Sequence, residues 1–104
     1  MTEEQIALAR RAVACKGWRW MRGMYSAWDT TEALPDLTDP ATLGCLLALV
    51  REAWGDECAC VLPIDYGPAG VRWVARLTAG GRCLTERHWL TETEALVAAL
   101  EAAP

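Results

Sequence analysis

Phenylalanine is absent from this chain of 104 residues, and lysine and histidine occur once each. No apolar run approaches the ~20 residues needed to cross a bilayer, so a membrane-spanning helix is excluded. The start, Met-Thr-Glu-Glu-Gln, is acidic where a secretory signal would be basic. A reducing cytoplasm is therefore expected, with the five cysteines as buried free thiols rather than a disulfide framework. There is no internal repeat, linker or low-complexity tract. The length sets a single domain, residues 1–104, large enough to bury about two-thirds of its unfolded surface. At 53% apolar and 23% charged, with a formal charge of −4, the composition is neither disordered nor that of a basic nucleic-acid binder.

Catalytic and metal-binding patterns are just as scarce. His88 has no second histidine to form a metal pair or a proton relay. Cys58, Cys60, Cys83 and His88 supply four possible ligands, but their spacing lacks the paired two-residue gaps of zinc knuckles and ribbons. Cys83 and His88, five apart on one expected strand, point to opposite faces. A Cys–His nucleophile could only be Cys83 or Cys60 with His88, and neither thiol has a helix N-terminus to stabilise a thiolate. The acidic pairs Glu3–Glu4, Asp56–Glu57 and Glu92 with Glu94 fall at helix ends, where they complement the dipole or simply sit in water. Gly80-Gly81 lacks the Lys-Ser/Thr and the strand–helix setting of a phosphate loop. No catalytic residue, metal or cofactor is expected.

Tryptophan, arginine and acid in the middle of the chain are the features present. Six Trp and nine Arg stand against the missing Phe and the single Lys. Residues 1–22 sum to +3 and residues 29–57 to −6. The acidic stretch disfavours a phosphate backbone and suits a basic protein surface; a plainly solvated surface is the simpler use of such charge. Lys16 to Trp28 interleaves aromatic and basic residues, as single-strand binders do, but the run is short and the whole chain acidic. Trp54 and Trp73 are in phase with apolar stripes and are expected in the core, as are Trp18 and Trp20 on a shared face. Trp28 and Trp89 are not placed inside by periodicity. Trp, Tyr and Arg dominate binding hot spots, so Arg22, Tyr25, Trp28 and Trp89, with the acidic Asp29, Glu32 and Asp36, are the candidate protein-binding residues. Capping of the core at a sheet edge is the alternative use of the aromatic ones.

The periodicity predicts an α+β domain. Thr2 with Gln5 forms a capping box that opens a helix over 3–16, with Gly17 as its left-handed terminator. Residues 18–24 alternate and predict a strand, which 25–28 either continue or fold back as a short hairpin. Residues 29–38 read as loop. Asp39-Pro40 starts the central helix, which Gly55 ends. Strands are predicted over 58–64, with Pro63 near an end or on an edge, over 71–78 and over 82–89. Asp65–Gly70 and Gly80-Gly81 form the turns between them. Thr91 with Glu94 opens a last helix, 92–102. The order α-β-α-β-β-β-α gives an antiparallel sheet of about four strands packed by three helices.

These elements, and the strings Gly17-Trp18, Pro-Asp-Leu-Thr-Asp-Pro-Ala-Thr (35–42), Leu-Val-Arg-Glu-Ala-Trp-Gly (49–55) and Glu-Ala-Leu-Val-Ala-Ala-Leu (94–100), resemble small phage and prophage proteins of the phage ABA-sandwich domain type. The chain departs from that pattern at 25–38, where the family carries a longer first hairpin. The resemblance carries no catalytic residues. It implies a phage-encoded accessory protein in a bacterial host cytoplasm. The expected role is a non-enzymatic interaction protein that binds a host protein or complex with a basic surface and inhibits a defence system, as anti-CRISPR proteins do. The alternative is a homo-oligomeric structural or virion-assembly accessory protein, for which an open sheet edge would pair two copies.

Overall fold

The computed structural model describes residues 1–77 and 83–104, the side chains of 83–87 excepted. Helix α1 spans Glu3–Val13, α2 Pro40–Trp54 and α3 Glu92–Glu101. Strands β1 (Cys60–Asp65), β2 (Val71–Arg76) and β3 (Cys83–Trp89) form an antiparallel sheet in the order β1-β2-β3. The fold is thus α+β, with three α-helices and three strands among the described residues. The expected Gly80-Gly81 turn lies outside the described residues, as does the side chain of Cys83.

Each helix start has a local cause. Thr2 Oγ1 accepts from the Gln5 amide at 3.1 Å and Gln5 Oε1 from the Thr2 amide at 3.0 Å, closing the capping box. Asp39 accepts from the Thr42 amide at 2.9 Å, and Pro40 follows where no amide is needed. Thr91 accepts from the Glu94 amide at 3.1 Å. Gly55 ends α2 with φ 62°, a left-handed turn that a Cβ would disfavour.

Gly17 corrects the expected end of α1. The helix stops at Val13 with Ala14 as an ordinary right-handed cap, and Gly17 is not left-handed. Its small size is used for close approach: a Cβ there would lie 3.1 Å from Leu100 Cδ1 and 3.2 Å from Ala53 Cβ. The chain passes from α1 through this gap between α2 and α3.

The strand expected over 18–24 does not form. Gly23 takes φ 101°, which breaks the alternation. Trp18, Met21 and Met24 pack instead onto the helical core as irregular chain. Trp18 and Trp20 meet edge to face, centroids 5.6 Å apart, but Trp20 stays exposed. Nor do residues 25–28 continue it or fold back on it: their one antiparallel bridge joins Ser26 to Pro35, inside the stretch expected as loop.

Helix α3 packs against all three strands and both other helices. Its Leu96, Val97, Ala99 and Leu100 are buried with Leu46, Leu49 and Val50 of α2, Ala9 and Ala12 of α1, Ala75 of β2, Leu77 just after it, and Leu34 and Leu37 of the loop before α2. Trp54 packs half-buried on this core, and its Nε1–H donates to Ala99 O at 2.8 Å. The core placement expected for Trp73 is corrected: it is half-buried and Val71 is exposed, while neighbours Val74 and Ala75 are both buried. The pairing of β2 with β3 shifts register between Trp73 and Ala75, and such a bulge interrupts strict alternation. The thiols are corrected too. Cys15, Cys45 and Cys60 are partly exposed, and Cys58 lies exposed in the turn before β1. Among the described residues, no helix is long and apolar enough to cross a membrane.

Candidate protein-binding surface

The segment 25–36 is a wide loop held at its neck and from beneath. The Ala27 amide donates to Leu34 O and the Asp36 amide to Tyr25 O, both at 2.8 Å. The Tyr25 amide donates to Thr42 Oγ1 at 2.9 Å. Thr42 is fully buried in the first turn of α2, and Asp39 Oδ2 lies 3.1 Å from its hydroxyl. Ala27, Leu34, Pro35 and Leu37 are buried under the loop. Their burial sets the backbone, so the outward side chains are presented by a fixed frame.

Two aromatic side chains stand out from that frame. Trp28 is 92% exposed and Tyr25 62%. A fully solvated indole contributes nothing to the core, and the sheet-edge capping role is therefore not what Trp28 does. Arg22 is exposed just before the loop, its carbonyl accepting from the Cys45 thiol at 3.8 Å.

The acidic candidates are engaged within the molecule. Asp29 pairs with the Met1 ammonium and Glu32 with Arg10. These cations hold both carboxyls below their ordinary range, chiefly by hydrogen bonding. Asp36 Oδ1 accepts from the Thr38 amide at 3.0 Å and from its hydroxyl at 2.5 Å, a local turn that leads into α2. Further along the acidic stretch, Glu52 pairs with Arg19. The basic first segment and the acidic middle thus meet inside one molecule.

Trp89 belongs to a different element. It ends β3 opposite Trp73 and is half-buried. Leu90, the next residue, is 64% exposed. Periodicity missed Leu90 because it falls in the break between a strand and a helix. Thr42 was missed for another reason: a threonine early in a helix gives no sign of a distant amide that it will accept.

Among the described residues, no group of three or more His, Cys, Asp and Glu side chains comes together to hold a metal. His88 Nδ1 lies 2.8 Å from the Tyr66 hydroxyl and the two rings stack at 5.4 Å, so the imidazole already has a partner. Burial pushes the Cys15 thiol up in pKa, and the group donates to Arg11 O at 3.2 Å. Comparison with known proteins found no matching family model, no matching curated protein and no matching solved structure.

Proposed function

We propose that the chain is a non-enzymatic interaction module, encoded by a phage or mobile element, that works in a bacterial host cytoplasm by binding and inhibiting a host defence complex. One observation carries the binding reading: a tryptophan left in water at 92% exposure, on a loop whose backbone is fixed from beneath. Burying such a side chain at a partner removes a large apolar area from water, and a preformed loop loses little entropy on docking. Tyr25 stands three residues away on the same frame. The net charge of −4 still favours a partner with a basic surface. With Asp29 and Glu32 already paired, the aromatic anchor carries more of the affinity than the acidic stretch does. The alternative, a homo-oligomer joined through the sheet, has β1 at an open edge with Leu62 exposed. Pro63 within that strand has no amide to donate, which blunts it for pairing.

The test combines capture and plating. Tagged wild type and a Tyr25→Ala, Trp28→Ala double variant are compared for recovery of a saturable host partner, and for phage plating on defended strains. A hot-spot anchor is worth about 2–4 kcal/mol, so the double variant should bind roughly thirty-fold to a thousand-fold more weakly while its circular dichroism stays unchanged. A variant that binds and protects phage as well as wild type would remove the loop from the interface. Absence of both a saturable partner and a plating effect would sink the proposal.

A further inference from the structure

A groove of about 830 Å³ runs between α1, the start of α2 and the start of α3. Its apolar lining comes from Ala7 and Leu8 of α1, Leu37 and Leu43 on either side of the α2 N-terminus, and Leu90 ahead of α3. Leu90 occupies the position that would staple onto the first turn of its helix, where it would face Ala95. Ala95 is fully buried and Leu90 remains 64% exposed, so the staple does not account for it. Acid outnumbers base around the groove. Glu4 and Glu94 stand in its wall against one cation, Arg11, which pairs with Glu101 at 2.5 Å and also feels the charge of Glu94.

We infer that this groove docks a short amphipathic helix of a partner protein, with aliphatic anchors in the floor and lysine or arginine beside Glu4 and Glu94. The charge complementarity sets the basic flank. The helical form follows from the walls: the lining residues belong to helices and their flanks, so no strand edge offers backbone groups to an extended peptide. A second copy of this chain does not supply such a helix. The exposed positions of α1, α2 and α3 hold charged residues, Ala, Gly and Pro, without a large aliphatic anchor, and the exposed aromatic residues among those described sit on irregular chain. The groove adjoins the aromatic loop, because Tyr25 bonds to Asp36 and Thr42, the neighbours of Leu37 and Leu43. It nevertheless stands on its own lining and does not depend on Trp28.

The probe is a synthetic peptide of about 18 residues, long enough to form a helix, with leucines at helical spacing and lysines along one flank. Amide shifts of the labelled full chain are followed during titration. The expected result is movement of the Ala7, Leu8, Leu37, Leu43 and Leu90 signals. Leu90→Asp, at an exposed position, should weaken binding about tenfold or more without loss of fold. A Glu4→Lys, Glu94→Lys variant should prefer the same peptide carrying glutamates in place of the lysines. Trp28→Ala should bind the peptide as wild type does, which separates this result from the loop test. Three outcomes would overturn the inference: no movement at these amides, equal binding of lysine and glutamate peptides, or self-association of the chain that Leu90→Asp abolishes.

Discussion

Thr42 is the residue on which the aromatic loop rests. It is fully buried and its Oγ1 accepts the Tyr25 amide, tying the loop to the first turn of α2. Replacing it with valine keeps the shape and removes the acceptor. A buried donor left without a partner costs about 1–3 kcal/mol, which exceeds what the extra methyl could return. Thr42→Val should therefore lower stability by that amount in urea and speed hydrogen exchange at Tyr25. Thr42→Ser keeps the hydroxyl and loses only a methyl, about 1 kcal/mol; exchange at Tyr25 should stay slow. Equal exchange in the two variants would show that the loop is held otherwise. The exposure of Trp28 was legible in the sequence because it lies outside any periodic apolar stripe. The frame was not, since the Tyr25–Thr42 bond joins positions 17 residues apart without a local pattern.

Among the elements, the three helices and the three strands between turns were legible, and the segment after α1, whose form depends on a distant surface, was not. Asp39-Pro40, Gly55, Thr2 with Gln5 and Thr91 hold their signals within a few residues of each end, and the three helices start where these stand. The alternation of Trp18, Arg19, Trp20 and Met21 meant only that the segment fits a half-buried surface. That surface is the helical core, and no strand pairs with it among the described residues. The β2–β3 register shift is likewise a property of two strands together, invisible along either. Gly17 shows how one residue can serve either of two ends. Placed after a helix it resembles a terminator, yet the structure uses it for clearance between α2 and α3. Two effects oppose each other in Gly17→Ala. A less flexible unfolded chain stabilises by about 0.4–1 kcal/mol, whereas overpacking costs about 1–3 kcal/mol. Ala53 Cβ is fixed to the α2 backbone and Leu100 is itself buried, so overpacking wins here. Urea unfolding should show a net loss of about 1–2 kcal/mol with an unchanged slope; a stabilised Gly17→Ala protein would contradict the close approach.

For the molecule as a whole, charge that looked like two separate ends folds back on itself. The fold brings α1 and the loop together, and Arg10 meets Glu32 across 22 residues of sequence. Sequence sums gave the signs of the two regions correctly, but pairing depends on where the chain returns. The consequence can be read as a function of pH. Arg10 holds Glu32 below its ordinary value of 4.5, while Glu32 raises Arg10 still further. A carboxyl depressed in the folded state stabilises the protein above its unfolded pKa, and that contribution fades as pH falls through the folded value. The arginine stays charged throughout this range. Both side chains are about half exposed, so the effect is modest and screened by salt. Wild type and Glu32→Gln should therefore differ in Tm by a constant amount at neutral pH. The difference should narrow once the pH drops below 4.5 and vanish when Glu32 is protonated in both states. At neutral pH, ~1 M salt should shrink it in the same way, because the screening length then falls to about 3 Å. A gap that persists unchanged in acid would assign the stabilisation to the packing of the Glu32 side chain and not to its charge.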